Sequence, residues 1–139
     1  MQNSKNRIET DDFRGPVLGR TRVGRVANKG RGLIAAERIV AGEVIEQNLC
    51  LVLDLEEGRA IAATRLRHYV YLWEEAAAGD MLALAMGNLS FCNHSSRPNA
   101  RIELDKDRVL VGLRAAQGIE AGTEVTIDYD YPLEFTVHE

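Results

Sequence analysis

A mainly β domain, with short strands in several small sheets and one or two short helices, is the fold this sequence predicts. Three observations carry that prediction. The apolar segments are short and joined by glycine-bearing turns, with no alternation of strand and long helix. Two stretches echo each other, AAERIVAGEVI at 35–45 and AAQGIEAGTEVTI at 115–127, each with an Ala-Gly turn ahead of a β-branched run. Finally, 139 residues with 45% hydrophobic and 27% charged side chains fit a single core that takes about two thirds of the unfolded surface out of water.

Taken in chain order, residues 1–19 are polar and close on Gly15, Pro16 and Gly19, which predicts a loosely held, flexible arm ahead of an ordered domain over 20–139. Val23 to Val26 is β-prone, Asn28 to Gly32 carries turn chemistry and Leu33 to Ala36 is apolar again, so strand, turn and strand are expected. The echoing segments predict a strand-turn-strand unit used twice. Two copies roughly eighty residues apart fall short of the three adjacent repeats of a solenoid, and shared turn chemistry explains the echo equally well. Glu56 to Leu66 has the Ala, Leu and Arg content of a short helix, weakened by Gly58. His68 to Trp73 is aromatic and β-branched and Met81 to Met86 is apolar without interruption, so both predict buried strands. Ala100 to Leu104 alternates, Asp105 to Arg108 is a polar turn and Val109 to Leu113 returns, which predicts a hairpin.

The formal net charge of −4 favours basic partners and opposes nonspecific binding to nucleic acid. Cys50 and Cys92 are too few for a disulfide framework or a four-thiolate zinc site, so a reducing, intracellular compartment is expected. The first fifteen residues lack the apolar core of a signal peptide, and no apolar run approaches the roughly 18 residues of a membrane span. A soluble protein without membrane contact is the expectation.

The stretch SFCNHSSRPNA, Ser90 to Ala100, concentrates reactive side chains. Cys92 and His94, with Cys50 and His68, could supply four metal ligands, but Cys-x-His is not a paired-ligand spacing and nothing in the sequence brings the other two near. Ser95 or Ser96 beside His94 suggests a hydrolase, yet neighbours in a strand point apart and no Gly-x-Ser-x-Gly elbow exists. The plain alternative is a loop in which Asn93, Ser95 and Asn99 bond the backbone and Pro98 sets a turn. Elsewhere, Gly30-Arg31-Gly32-Leu33-Ile34-Ala35 satisfies the dinucleotide fingerprint formally, but Gly42 arrives too soon for the helix that must follow. What survives is backbone free of Cβ, which a bulky ligand can approach.

Three islands in order, KGRGL at 29–33, NHSSRPNA at 93–100 and AGTEVTIDYDY at 121–131, together resemble the SET domain, the fold of S-adenosylmethionine-dependent protein lysine methyltransferases. The resemblance runs from Arg22 to Tyr131 and includes ALAMG at 83–87 and both Ala-Gly turns. It implies a β-clip fold in which the Asn-His loop and the last strand thread through each other as a pseudoknot, so that Asn93 to Asn99 meets Val125 to Tyr131. It implies S-adenosylmethionine as cofactor, held largely by main chain: Lys29, Gly30, Arg31 and Gly32 at the methionine end, Asn93 and His94 on the adenine side. It further implies Tyr129 as the catalytic phenol, Tyr69, Tyr131 and Phe135 as walls of a lysine channel, and no metal in the chemistry.

The partner implied is a protein carrying a lysine, expected to be basic and of histone or histone-like type, met in the cytoplasm or with chromatin or nucleoid proteins. No direct contact with nucleic acid is expected. Two departures from the family pattern stand out. Many relatives carry an Arg-Phe pair or Gly-aromatic-Gly before Asn-His, where this chain reads Gly87-Asn88-Leu89-Ser90-Phe91-Cys92. Ser96 stands where zinc-bearing members have cysteine, and no cysteine follows Tyr131, so a minimal form is expected, with a homodimer as one way to supply the missing substrate wall. The rival expectation is a noncatalytic interaction module that keeps the scaffold.

Overall fold

The computed structural model describes residues 15–128. Tyr129, Tyr131 and Phe135, expected at the catalytic centre and the channel, lie outside the described residues. β1 (Thr21–Val26) and β2 (Gly30–Ala35) form an antiparallel hairpin running from Thr21↔Ala35 to Val26↔Gly30. Its turn places Asn28 at φ 65° and Gly30 at φ 77°, left-handed conformations that these two residue types tolerate. The second strand begins at Gly30, so both glycines read as turn residues, Gly30 and Gly32, lie inside it.

β3 (Val44–Leu53) is the longest strand and the centre of a five-stranded antiparallel sheet, ordered β4 (Val70–Glu74), β5 (Met81–Ala85), β3, β8 (Leu110–Ala115), β7 (Ala100–Asp105). Between β3 and β4 lies α1 (Leu55–Ala62), started by a capping box in which the Glu57 amide donates to Asp54 Oδ1 at 2.8 Å and the Asp54 amide to Glu57 Oε1 at 3.0 Å. The helix was expected to reach Leu66 but stops at Ala62, because the Thr64 side chain accepts the Leu66 amide at 3.2 Å and starts a new 3-10 helix, Arg65–Tyr69. His68 and Tyr69, expected in a strand, therefore belong to that helix, and the strand begins at Val70. Gly58 is buried, and a Cβ added there would lie 3.6 Å from Leu82 Cδ1, an ordinary van der Waals contact, so α1 packs on β5 at a distance that does not require glycine.

The smaller sheet has the order β1-β2-β9-β6, with β9 at Glu124–Ile127 and β6 at Asn93–His94. β6 runs parallel to β9 with Asn93↔Thr126 and His94↔Ile127 in register. Asn99 bridges the same strand from the far side of the loop, donating to Glu124 O at 2.8 Å and accepting the Thr126 amide at 2.9 Å. The meeting of the Asn-His loop with the last strand is thus present over the described part.

The two echoing segments close on each other. Ile39 and Ile119 exchange amide bonds of 2.8 and 2.9 Å, the Gly42 amide donates to Ala115 O, and the Gly122 amide, in the equivalent place, donates to Ala35 O. Both isoleucines are buried, and with Leu33, Ile45, Leu113 and Ile127 they form the centre of the core joining the sheets. At the start of the described chain, Val17 exchanges two bonds with Gln47 of β3, one to its side chain at 3.1 Å and one from its amide at 2.8 Å.

Candidate functional site

The site begins where β2 crosses β9. Gly32 is buried against that crossing, and a Cβ there would sit 2.7 Å from Glu124 Oε2, 2.7 Å from Val26 Cγ2 and 2.9 Å from Asn93 Nδ2. No side chain fits. Asn93 uses this closeness, donating from Nδ2 to Arg31 O at 3.0 Å and to Glu124 Oε2 at 2.8 Å. Lys29 Nζ reaches the other oxygen, Glu124 Oε1, at 3.0 Å, with the two side chains only 10% and 16% exposed. One carboxylate, itself 95 residues from Lys29 in the sequence, therefore ties the tip of the first hairpin to the Asn-His strand. Gly30 differs from Gly32: nothing lies within 4 Å of a Cβ there, so its flank is open space.

Beside this crossing is an aromatic wall. The Arg31 guanidinium lies 4.7 Å from the Phe91 ring centroid, a cation–π contact, and Phe91 meets Tyr69 edge-on at 5.9 Å. The 3-10 helix Asn88–Phe91 that presents Phe91 is clamped at Leu89, whose amide donates to Asn48 Oδ1 at 3.0 Å and whose carbonyl accepts the Tyr71 hydroxyl. Ser90 Oγ adds a bond to Ala85 O at 2.7 Å. Asn48 in turn donates to Glu46 Oε2 at 3.1 Å, and Glu46 accepts the Thr21 hydroxyl. Glu46 and Asn48 are each 2% exposed, so the Gly87–Phe91 segment rests on a buried, hydrogen-bonded polar network. Gly87 is part of its fit: a Cβ there would meet Asn48 at 2.6 Å.

His94 lies against β9 with its Nδ1 3.6 Å from Asp128 Oδ1, a contact that becomes an ion pair when the imidazole is protonated. Cys92 is buried, and desolvation pushes its thiol well above the ordinary range, with Glu124 adding to the shift and Lys29 opposing it. Its Sγ donates to Val125 O at 3.4 Å. A thiol held neutral in this way is packing and not a nucleophile. Ser95 is buried and accepts the Arg97 amide at 3.0 Å, so it shapes the loop.

The structure brings Lys29, Gly30, Arg31, Gly32 and Asn93 together, sets His94 next to them on the same strand, and places Tyr69 on the adjoining wall. Glu124, Asn48 and Glu46 had no signal in the sequence that singled them out, and Phe91 entered only as part of the altered Gly87–Cys92 segment. Glu124 sits in the same island as Tyr129, but nothing in its spacing says that it faces Lys29. Chemically, the assembly offers an open main-chain edge at Gly30, a rigid aromatic face and a cation over that face, a combination suited to a ligand with a charged end and an apolar middle.

Comparison with known proteins gives one picture. The SET-domain family model matches residues 30–130. A histone-lysine N-methyltransferase of Yarrowia lipolytica, H3 lysine-36 specific, is 33% identical over 126 residues, which cover 85% of this chain and 16% of that protein. A Schizosaccharomyces pombe histone-lysine N-methyltransferase, H3 lysine-37 specific, is 33% identical over 108 residues, covering 77% of this chain and 71% of that one. The chain thus spans less than a fifth of the Yarrowia relative's length. A solved Plasmodium falciparum chain, described as a candidate histone methyltransferase, superposes with a TM-score of 0.67 over 84% of this chain and 97% of that one, at 24% identity.

Proposed function

Because the chain belongs to the SET-domain family, we propose that it is an S-adenosylmethionine-dependent protein-lysine N-methyltransferase, with a histone or histone-like protein as substrate. The observation that carries this reading is the tie between the Gly30–Gly32 edge and Asn93 through Glu124, with the Phe91–Tyr69 wall alongside. These residues come from four separate parts of the chain and converge where the described strand β9 leads toward Tyr129.

When bound, S-adenosylmethionine supplies an activated methyl group on a sulfonium. Lys29 to Gly32 would hold its methionine end along the main chain, and Asn93 and His94 its adenosine side. Gly30 fits this role because a side chain there would stand in the open edge, and Gly32 because none can be accommodated. The amine to be methylated must be neutral, yet a free lysine of pKa about 10.4 is neutral in only about one molecule per few thousand at pH 7. The Tyr69–Phe91 face disfavours the ammonium by desolvation, and the Arg31 charge beside it acts in the same direction. Alignment of the neutral nitrogen falls to the Tyr129 phenol, with Tyr131 and Phe135 completing the channel.

The test is mass spectrometry of proteins incubated with the enzyme and methyl-labelled cofactor, run beside a Tyr129→Phe variant. Label on lysine is expected, with turnover falling at least about a hundredfold in the variant while cofactor affinity is kept. Cofactor binding without label on any lysine, or a variant as active as the parent, overturns the enzyme reading and leaves a binding scaffold.

A further inference from the structure

The whole chain carries a net charge of −4, yet the charge that lies on the Phe91–Tyr69 wall is a guanidinium, that of Arg31. Arg25 and Arg31 are directly opposed in the β1–β2 register, which puts two guanidinium side chains on one face within about 5 Å at their Cβ atoms. Such a like-charged cross-strand pair is unfavourable unless an anion meets it. Arg31 lies over Phe91, Phe91 touches Tyr69, and Tyr69 ends the 3-10 helix that begins at Arg65. That helix has no acidic residue in its first turn, and at three residues per turn it stacks Arg65 over His68 next to Tyr69.

Among the described residues, Arg25, Arg31 and Arg65 form no ion pair. Arg22, Arg59 and Arg97 are likewise without one among the described residues, whereas Arg20 is matched with Glu37 and Glu43, Arg38 with Glu120, Arg108 with Asp105 and Arg114 with Glu103; what sets Arg25 and Arg31 apart is that they oppose each other beside an aromatic face. Among the described residues, two carboxylates by the site are engaged, Glu124 by Lys29 and Asn93 and Asp128 facing His94. A target lysine presented alone would bring a cation into a cationic rim. The same lysine beside an aspartate or glutamate would bring an anion that Arg25, Arg31 and Arg65 do not meet among the described residues.

We propose that the preferred target lysine is flanked by an acidic residue, and that Arg25, Arg31 and Arg65 receive its carboxylate at the edge of the Phe91–Tyr69 wall. This rests on the lysine-methyltransferase reading and sharpens it, because the expectation of a basic substrate came from the net charge and not from the rim. A protein that is basic overall still satisfies it through one local Asp or Glu. Nucleic-acid phosphate is the less suited anion, since one opposed arginine pair and one arginine of the adjoining 3-10 helix do not make the extended basic stripe a phosphate backbone needs.

The experiment uses the full chain, labelled cofactor and a peptide library with one central lysine and randomised flanks of three residues on each side. The labelled fraction is expected to be enriched about fivefold in Asp or Glu next to the lysine, the effect of one or two partly exposed charge pairs. In Arg65→Glu and Arg25→Glu, each first checked for an unchanged melting temperature, that enrichment should fall below about twofold, while cofactor affinity is unchanged. A flat preference, or enrichment in Lys and Arg, overturns the proposal and leaves the methyltransferase reading standing. Weaker cofactor binding in the variants with flank preference intact assigns the charge to the cofactor's own carboxylate and also overturns it. Binding of a DNA duplex that depends on Arg65, with a flat peptide preference, does the same. No label on any peptide or protein despite bound cofactor is a different failure, that of the enzyme reading itself.

Discussion

Replacing Glu124 by alanine tests the tie on which the candidate site depends. The Lys29 ammonium and the Glu124 carboxylate are 3.0 Å apart with side chains 10% and 16% exposed. At an effective dielectric of about 20 their gross attraction is about 5.5 kcal/mol, most of it offset by the desolvation both ions suffer. Removing the carboxylate abolishes the attraction but leaves the ammonium desolvated, which in buried pairs costs about 3–5 kcal/mol. The residual exposure lets water reach Lys29, so the lower end applies, about 3 kcal/mol. Asn93 also loses one of its two acceptors but keeps Arg31 O at 3.0 Å, adding less than about 1 kcal/mol. For a domain of this size the total corresponds to a fall of about 10 °C in melting temperature, measurable by calorimetry. Lys29→Met combined with Glu124→Leu should cost at least about 2 kcal/mol less than the two single losses together, because no ion is then left alone. Isothermal titration of the cofactor should show a weaker complex in Glu124→Ala, since the Gly30–Gly32 edge and Asn93 would no longer share an anchor. A melting temperature within about 2 °C of the parent, or single losses that simply add, would refute the claim that this pair sets the site.

Two further outcomes are expected. Gly32→Ala should lose about 2–3 kcal/mol and most cofactor affinity, because its Cβ meets Glu124 and Asn93 side chains that are themselves held; Gly30→Ala, which meets nothing but must keep φ near 77°, should lose about 1–2 kcal/mol, part of it regained in Gly30→Asn. Urea titration ranks the three, and the reverse order would contradict the geometry. Glu43 should govern part of the acid limb of stability: the Val40 amide at 2.8 Å, and then Arg20, hold its carboxyl below the ordinary 4.5. The folded value lies below the unfolded one, so the stabilisation is complete above about pH 4.5 and is lost as pH falls through the folded value. Melting temperature against pH should therefore fall less steeply below about pH 4.5 in Glu43→Gln than in the parent, and parallel curves would dismiss the assignment.

Much of the fold was legible in the sequence, and the failures have physical causes. The hairpin at 100–115 declared itself through alternation around a polar turn, and its strands pair from Ala100↔Ala115 to Asp105↔Leu110. β3 did not, because Glu46, Gln47 and Asn48 interrupt its apolar run. It is a strand because alternate residues reach a buried network that satisfies Glu46 and Asn48, and periodicity of hydrophobicity cannot report buried polar partners. His68 and Tyr69 read as strand from their composition, but the Thr64 cap overrides propensity. The echo at 35–45 and 115–127 was visible as a repeat; that each copy closes on the other, Gly42 to Ala115 and Gly122 to Ala35, is a property of space and not of spacing. In the site, the ordered motifs gathered Lys29 to Gly32 with Asn93, whereas the pairing of Glu124 with Lys29 and the contacts of Phe91 with Arg31 and Tyr69 were invisible because no motif links residues so far apart.

The segment at Gly87–Cys92, where the family's Arg-Phe pattern is altered, explains how such a departure is tolerated. Position 90 is a serine here, and the segment is ordered by neutral donors and acceptors: Asn48 to the Leu89 amide, Tyr71 to its carbonyl, Ser90 to Ala85. The tip of the first hairpin is instead held by charge, through Lys29 and Glu124. Bonds in a buried network, including those to the Glu46 carboxylate beneath Asn48, are little screened by salt, and so is a pair this little exposed. Neither support depends on the exposed rim of Arg25, Arg31 and Arg65, whose interactions salt does screen. Rigid placement and substrate charge preference are therefore physically separable: added salt should erode the second while leaving the first, because the residues that position the Phe91 face are not the residues left to meet an incoming anion.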